Sequence, residues 1–220
     1  HSQCFRTLQH LIVHPRALPC GAPLSILNYQ HMKRFSLSAV PAVIGMIHFS
    51  PLEGTDDYGG DKALVLDRAH QDLRALQDGG VDAVMFENNF DKPKYEKMRT
   101  ETRDHFIELL EALQPETRLP WGIAPLWNDY EFGFAACMKF GGVMVRLPVF
   151  VDSVETVYGK FYANPAIVLA ARASLGADAV AILADVQVKH ATMLTPRLFV
   201  ESVREASASG ADGIVVTGQW

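Results

Sequence analysis

The stretch Ala179-Val180-Ala181-Ile182-Leu183-Ala184-Asp185-Val186-Gln187-Val188-Lys189-His190 passes from an unbroken small and β-branched apolar run into a cluster of acids, amides and bases. Such a run is the composition of a strand buried on both faces in a parallel sheet. The polar cluster then falls where that strand ends, so one rigid element holds a carboxylate, an amine and an imidazole. Along an extended strand Asp185, Gln187 and Lys189 share a face, and His190 starts on the other.

Working outward, the same apolar phrase recurs. Gly79-Gly80-Val81-Asp82-Ala83-Val84, Gly176-Ala177-Asp178-Ala179-Val180 and Gly210-Ala211-Asp212-Gly213-Ile214-Val215 repeat it, and Phe140-Gly141-Gly142-Val143 is a looser copy. Each copy puts glycine where a helix stops and a strand directly after it, the helix-to-strand joint of a βα repeat.

Strands are expected at 42–48, 82–87, 120–126, 143–147, 179–185 and 213–217. Helices are expected at 62–78, around Phe106 to Leu113, from a cap at Asn128 or Asp129 towards Phe140, and after Asn164-Pro165 and Thr195-Pro196. The segment through Tyr158, Lys160 and Tyr162 reads as a long loop. Strands alternating with helices imply a parallel α/β sheet with right-handed crossovers.

We read the fold class as a TIM (β/α)8-type barrel cut short after its sixth strand, since a closed barrel takes about 250 residues. The competing fold is an open doubly wound sheet, disfavoured because no glycine-rich dinucleotide loop follows the first strand.

The chain has 220 residues, 49% of them apolar, and a net charge of -5, which gives no basic footprint for nucleic acid. No apolar run approaches transmembrane length, so membrane association is expected only as peripheral. Three cysteines, Cys4, Cys20 and Cys137, make no CxxC pair and no even disulfide framework, which excludes a zinc ribbon and a secreted disulfide scaffold.

Residues 1–40 form an expected leader, and 41–220 the barrel. From His1 to Leu52 there is no Asp or Glu, while Arg6, Arg16, Lys33 and Arg34 are scattered among Ser, Leu and His. That is transit-peptide composition, so the expected location is mitochondrial if the leader is genuine and cytoplasmic otherwise. The chain starts with His1, and is expected to be part of a longer product.

In a barrel the strand ends converge on one mouth. The candidates there for catalysis are His48, Glu87, Asp185, Lys189 and His190, and for substrate binding Asn88, Arg146, Gln187, Thr217 and Gly218. Asp185 and His48 would handle protons, while Lys189 and Arg146 would stabilise developing negative charge. His48, Glu87, Asp185 and His190 also suit a divalent metal, although no HxH or HExxH pair supports one.

Gly45-Met46-Ile47-His48 with Pro51-Leu52-Glu53-Gly54, then Glu87-Asn88, Ala184-Asp185-Val186-Gln187-Val188-Lys189-His190, and Ile214-Val215-Val216-Thr217-Gly218 together resemble the BtpA family. The resemblance runs from about Pro41 to the C-terminus. It implies a ribulose-phosphate-binding type of barrel, a small phosphorylated ligand, and an association with photosystem I biogenesis through a factor peripheral to the thylakoid membrane.

Gln187 stands where the family commonly has His, Asn89-Phe90-Asp91 replaces a typical Phe-Gly-Asp, and 123–129 is only similar to the family's third strand. Two functions follow as expectations: an enzyme moving a proton next to a carbonyl or cleaving an aldol, and a non-catalytic assembly factor. A homo-oligomer is also expected.

Overall fold

The computed structural model describes residues 42–217; the expected leader at 1–40 and Gly218 lie outside them. Six strands form one parallel sheet: β1 (Ile44–His48), β2 (Ala83–Glu87), β3 (Trp121–Ala124), β4 (Met144–Leu147), β7 (Ala181–Val186) and β9 (Gly213–Val216). Between them run α1 (Lys62–Asp78), α2 (Thr100–Leu113), α3 (Tyr130–Phe140), α4 (Pro165–Ser174) and α5 (Phe199–Ala208).

The spatial order β1-β2-β3-β4-β7-β9 follows the sequence without reversal. A doubly wound sheet needs a switch point where that order turns back, and none exists among the described residues. The sheet is therefore a half-barrel of (β/α) type, with β2, β4, β7 and β9 each starting within or directly after a copy of the repeated glycine phrase.

Its two faces differ. Towards the helices, Ile47, Phe86, Trp121, Ile123, Val145, Leu147 and Ile182 pack on Leu73 of α1, Phe106 and Leu110 of α2, Phe134 of α3, Val168 of α4 and Ala206 of α5. On the other face Ile44, Ala83, Met85, Ala124, Met144, Leu183 and Val215 form a separate cluster with no helical member. That is the arrangement of a barrel wall, helices outside and layered strand side chains inside.

The repeated phrase has a structural reason. Gly80, Gly176 and Gly210 adopt left-handed φ of 77°, 63° and 94°, where glycine ends a helix without strain. Two of the aspartates that follow tie strands together at the end remote from the mouth. Asp82 Oδ2 accepts from Val43 N at 2.7 Å, and Asp212 Oδ2 accepts from Ile182 N at 2.9 Å.

Asp129 caps α3, accepting from Phe132 N, and Asn164 caps α4, accepting from Ile167 N. Two expectations are corrected. The helix after Thr195-Pro196 starts later, at Phe199, because Glu201 Oε2 takes the Leu198 N–H at 2.9 Å and Arg197 is drawn onto Asp152.

The long loop also folds. β5 (Val154–Thr156) and β6 (Gly159–Phe161) make an antiparallel hairpin, to which β8 (Thr192–Met193) adds. Glu155 faces Lys160 across the hairpin, while Val154 and Phe161 turn inward onto Trp127, Val149 and Val188.

Candidate functional site at the strand tips

Side chains alternate along a strand, so the inner face is set by a period of two. Ile44 and Met46, Ala83 and Met85, Met144, Leu183, and Val215 occupy it, and continuing each series places His48, Glu87, Arg146, Asp185 and Thr217 in its last layer. Register aligns them. His48 lies beside Glu87, and Glu87 beside Ala124. One step beyond the Ile123 and Val145 pair, Ala124 lies beside Arg146.

Contacts follow from that layer. His48 Nε2 is 2.9 Å from Glu87 Oε2, a contact off the line of a hydrogen bond that is an ion pair only when the ring is protonated. Arg146 Nε and Nη2 donate to Asp185 Oδ1 and Oδ2 at 2.8 and 2.9 Å, a two-bond pair with Asp185 0% and Arg146 6% exposed.

Burial alone would raise the Glu87 carboxyl, but the His48 contact and the charges of Arg146 and Lys94 outweigh it and hold the group below the ordinary carboxylate value. Burial also opposes charge on Arg146; the Asp185 carboxylate overcomes it and keeps the guanidinium protonated. Burial pushes Asp185 upward against the pull of Arg146. With both its oxygens bound to Arg146, Asp185 orients that cation.

The remaining candidates divide. Lys189 is half-buried, its charge acts on Asp185, and its backbone N–H donates to Thr217 Oγ1 at 3.3 Å. His190 is exposed, with φ of 63°. Asn88 is buried and joins loops: Nδ2 donates to Asp91 Oδ2 and Leu126 O, and Oδ1 accepts from Leu126 N.

Gln187 does not share the face of Asp185. The strand ends at Val186, Gln187 turns to φ 48°, and its amide donates to Arg197 O at 3.1 Å. Asp152, from the loop after β4, holds that turn by accepting from Gln187 N, Arg197 Nε and Ser202 Oγ.

Among the described residues no group of three or more His, Cys, Asp or Glu is placed to hold a metal ion. His48 and Glu87 are close, but Asp185 is occupied by a guanidinium and His190 is outside, so these four residues are not arranged around a divalent cation.

Lys94 was not singled out from the sequence, yet it belongs to this mouth. Its Nζ donates to Asn89 O and Asp91 O at 2.7 and 2.9 Å and lies 5.7 Å from the ring centre of Tyr158. Burial lowers its pKa, and the charges of Asp91 and Glu87 partly oppose this. No local pattern marks a lysine in a polar loop as buried. The only signal was its position seven residues beyond Glu87.

A parallel half-barrel whose strand tips gather a histidine, two carboxylates and an arginine defines a (β/α)-barrel protein with a charged mouth. The BtpA family model matches residues 40–220, and the chain belongs to that family.

Photosystem I biogenesis protein BtpA of Synechocystis is 36% identical over 179 residues, covering 80% of this chain and 62% of that protein. An uncharacterized protein of Pyrococcus furiosus is 32% identical over 189 residues, 86% of this chain and 71% of its own length. Among solved structures, 7,8-dihydropteroate synthase from Vibrio fischeri aligns at a TM-score of 0.48 with 16% identity, over 80% of this chain and 62% of that one. The chain thus spans less than two thirds of the length of the Synechocystis protein.

Proposed function

We propose that the protein is an enzyme that moves a proton at a carbon beside a carbonyl in a small phosphorylated metabolite, or cleaves the bond there in an aldol sense. One observation carries this reading: the buried Glu87 is held ionised between His48 and Arg146 at the mouth of the half-barrel.

Glu87 accepts the proton, and His48, in contact with it, passes the proton on. Arg146, oriented by Asp185, faces the oxygen on which negative charge develops, and such a fixed donor costs no reorganisation during reaction. Lys189 adds a second cation from the loop after β7.

The test is solvent exchange. Full-length protein in D2O with a panel of phosphorylated aldehydes, ketones and keto acids should replace one α-hydrogen by deuterium, read by NMR. Glu87→Gln should slow this by about 100-fold or more, the usual weight of a positioned acid or base. A panel with no exchange and no turnover would overturn the proposal.

The Synechocystis relative, named as a photosystem I biogenesis protein, supports a second reading: a scaffold that helps assemble a membrane complex from the membrane surface. Among the described residues no helix is long and apolar enough to cross a membrane. Deletion that leaves every membrane complex at its normal level, with the protein absent from membrane fractions, would exclude this role. The acid-free leader supports import into mitochondria; residues 1–40 fused to a reporter that stays in the cytosol would refute it.

A further inference from the structure

Lys94 is held unlike a surface lysine. A lysine with no task near the protein extends its ammonium into water. Here the ammonium is bent back, half-buried, and two of its three N–H groups are spent on the carbonyls of Asn89 and Asp91. Those carbonyls belong to the loop that leaves β2 directly after Glu87, so the cation is fixed close to that carboxylate.

A roof comes from elsewhere in the chain. Tyr158 sits in the turn between β5 and β6, with its ring against Lys94 Nζ. The hairpin is anchored by Val154 and Phe161 in an apolar cluster with Trp127, Val149 and Val188, from the loops after β3, β4 and β7. The ammonium group thus lies between the loop after β2 and a hairpin whose apolar anchor joins the loops after β3, β4 and β7.

We infer that Lys94 is a substrate-binding residue of this site, whose third N–H takes an oxygen of the substrate's phosphate or carboxylate beneath Tyr158. This rests on the reading of the mouth as an active site and names the residue that selects an anionic substrate. The two carbonyls keep the cation in place before the ligand arrives, so binding does not have to order a flexible side chain.

Calorimetric titration of the full-length protein with inorganic phosphate, and separately with malonate, distinguishes the two oxyanions. Saturable binding of at least one is expected. Lys94→Met should weaken it about 10-fold or more, the weight of one charge-assisted hydrogen bond. Lys94→Arg should recover part of the affinity, and Lys139→Met, in the last turn of α3 at the end remote from the mouth, should leave it unchanged.

A lysine that merely fastens the loop predicts the reverse pattern. Lys94→Met would then lower the melting temperature of the anion-free protein while anion affinity stayed as in the wild type, and that result overturns the inference. So does a wild-type protein that binds neither anion. Anion binding that depends on Lys94 with no proton exchange on any carbonyl compound would remove the enzyme reading and leave the binding residue standing.

Discussion

At the scale of single residues, Arg146 and Glu87 carry most of the argument. Arg146 is buried with Asp185, and removing one partner of a buried pair strands the other charge, at a cost of about 3–5 kcal/mol. Arg146→Met should therefore lower the unfolding free energy by about that amount in urea titrations. Adding Asp185→Leu should restore most of it without restoring activity, whereas a single variant as stable as the wild type would show that the pair does not support the fold. Glu87 gives a separate test in pH. Its carboxylate is held below its ordinary value of 4.5, and the ionised form is the one that accepts a proton. Activity should persist as pH falls to about 4.5 and decline only below it. Lys94→Met removes one of the charges that hold it down, so the acid limb of kcat/KM should move to higher pH. A limb that stays in place would mean that another group sets it.

At the scale of elements, small residues on β3 make room for large ones on its neighbours. A Cβ on Gly122 would lie 2.2 Å from Met144 Cγ and 2.5 Å from Met144 O, and Ala124 separates Glu87 from Arg146. Ala124→Leu should fill that gap and abolish ligand binding, checked by the same anion titration, at an overpacking cost of about 1–3 kcal/mol. Undiminished anion affinity in Ala124→Leu would place the ligand elsewhere. This layer was legible beforehand because the period of two and the repeated glycine phrase are local signals, and they fix which tips face inward. Gln187 departs from the strand pattern for a physical reason: Asp152, from the loop after β4, accepts its backbone N–H where the chain leaves extended geometry at φ 48°. The β5–β6 hairpin leaves no mark in the sequence because strands of three residues are too short to show a period, and Lys94 leaves none because its burial depends on Tyr158 across the mouth.

At the scale of the whole molecule, the helical layer and the loops over the mouth are joined through His105 of α2, which is 1% exposed. Its Nδ1 accepts the backbone N–H of Glu53, in the loop that follows β1, at 3.0 Å, so the neutral ring carries its proton on Nε2. A second proton on Nδ1 would set N–H against N–H and break that bond, leaving the loop to Thr102, whose Oγ1 donates to Glu53 O at 2.8 Å. Burial, helped by the nearby charge of Lys62 and opposed by Glu108 and Glu53, lowers the pKa from 6.5. Between the lowered value and 6.5 the unfolded chain binds a proton that the folded chain does not, so stability rises with pH across that window and is lost as pH falls through it. Asp91, Asp129 and Asp185 act in the opposite sense. Burial raises their pKa values, so between 3.8 and those raised values the folded chain holds the extra proton and acidification favours it. The net profile mixes these contributions, and a variant that cannot titrate at one position separates them. His105→Gln should flatten the fall in urea midpoint as pH drops below about 6.5 and leave the dependence at lower pH as it was, with the m-value unchanged. Should the wild type and His105→Gln lose stability in parallel on acidification, the His105 contact with Glu53 does not set the acid sensitivity of the fold.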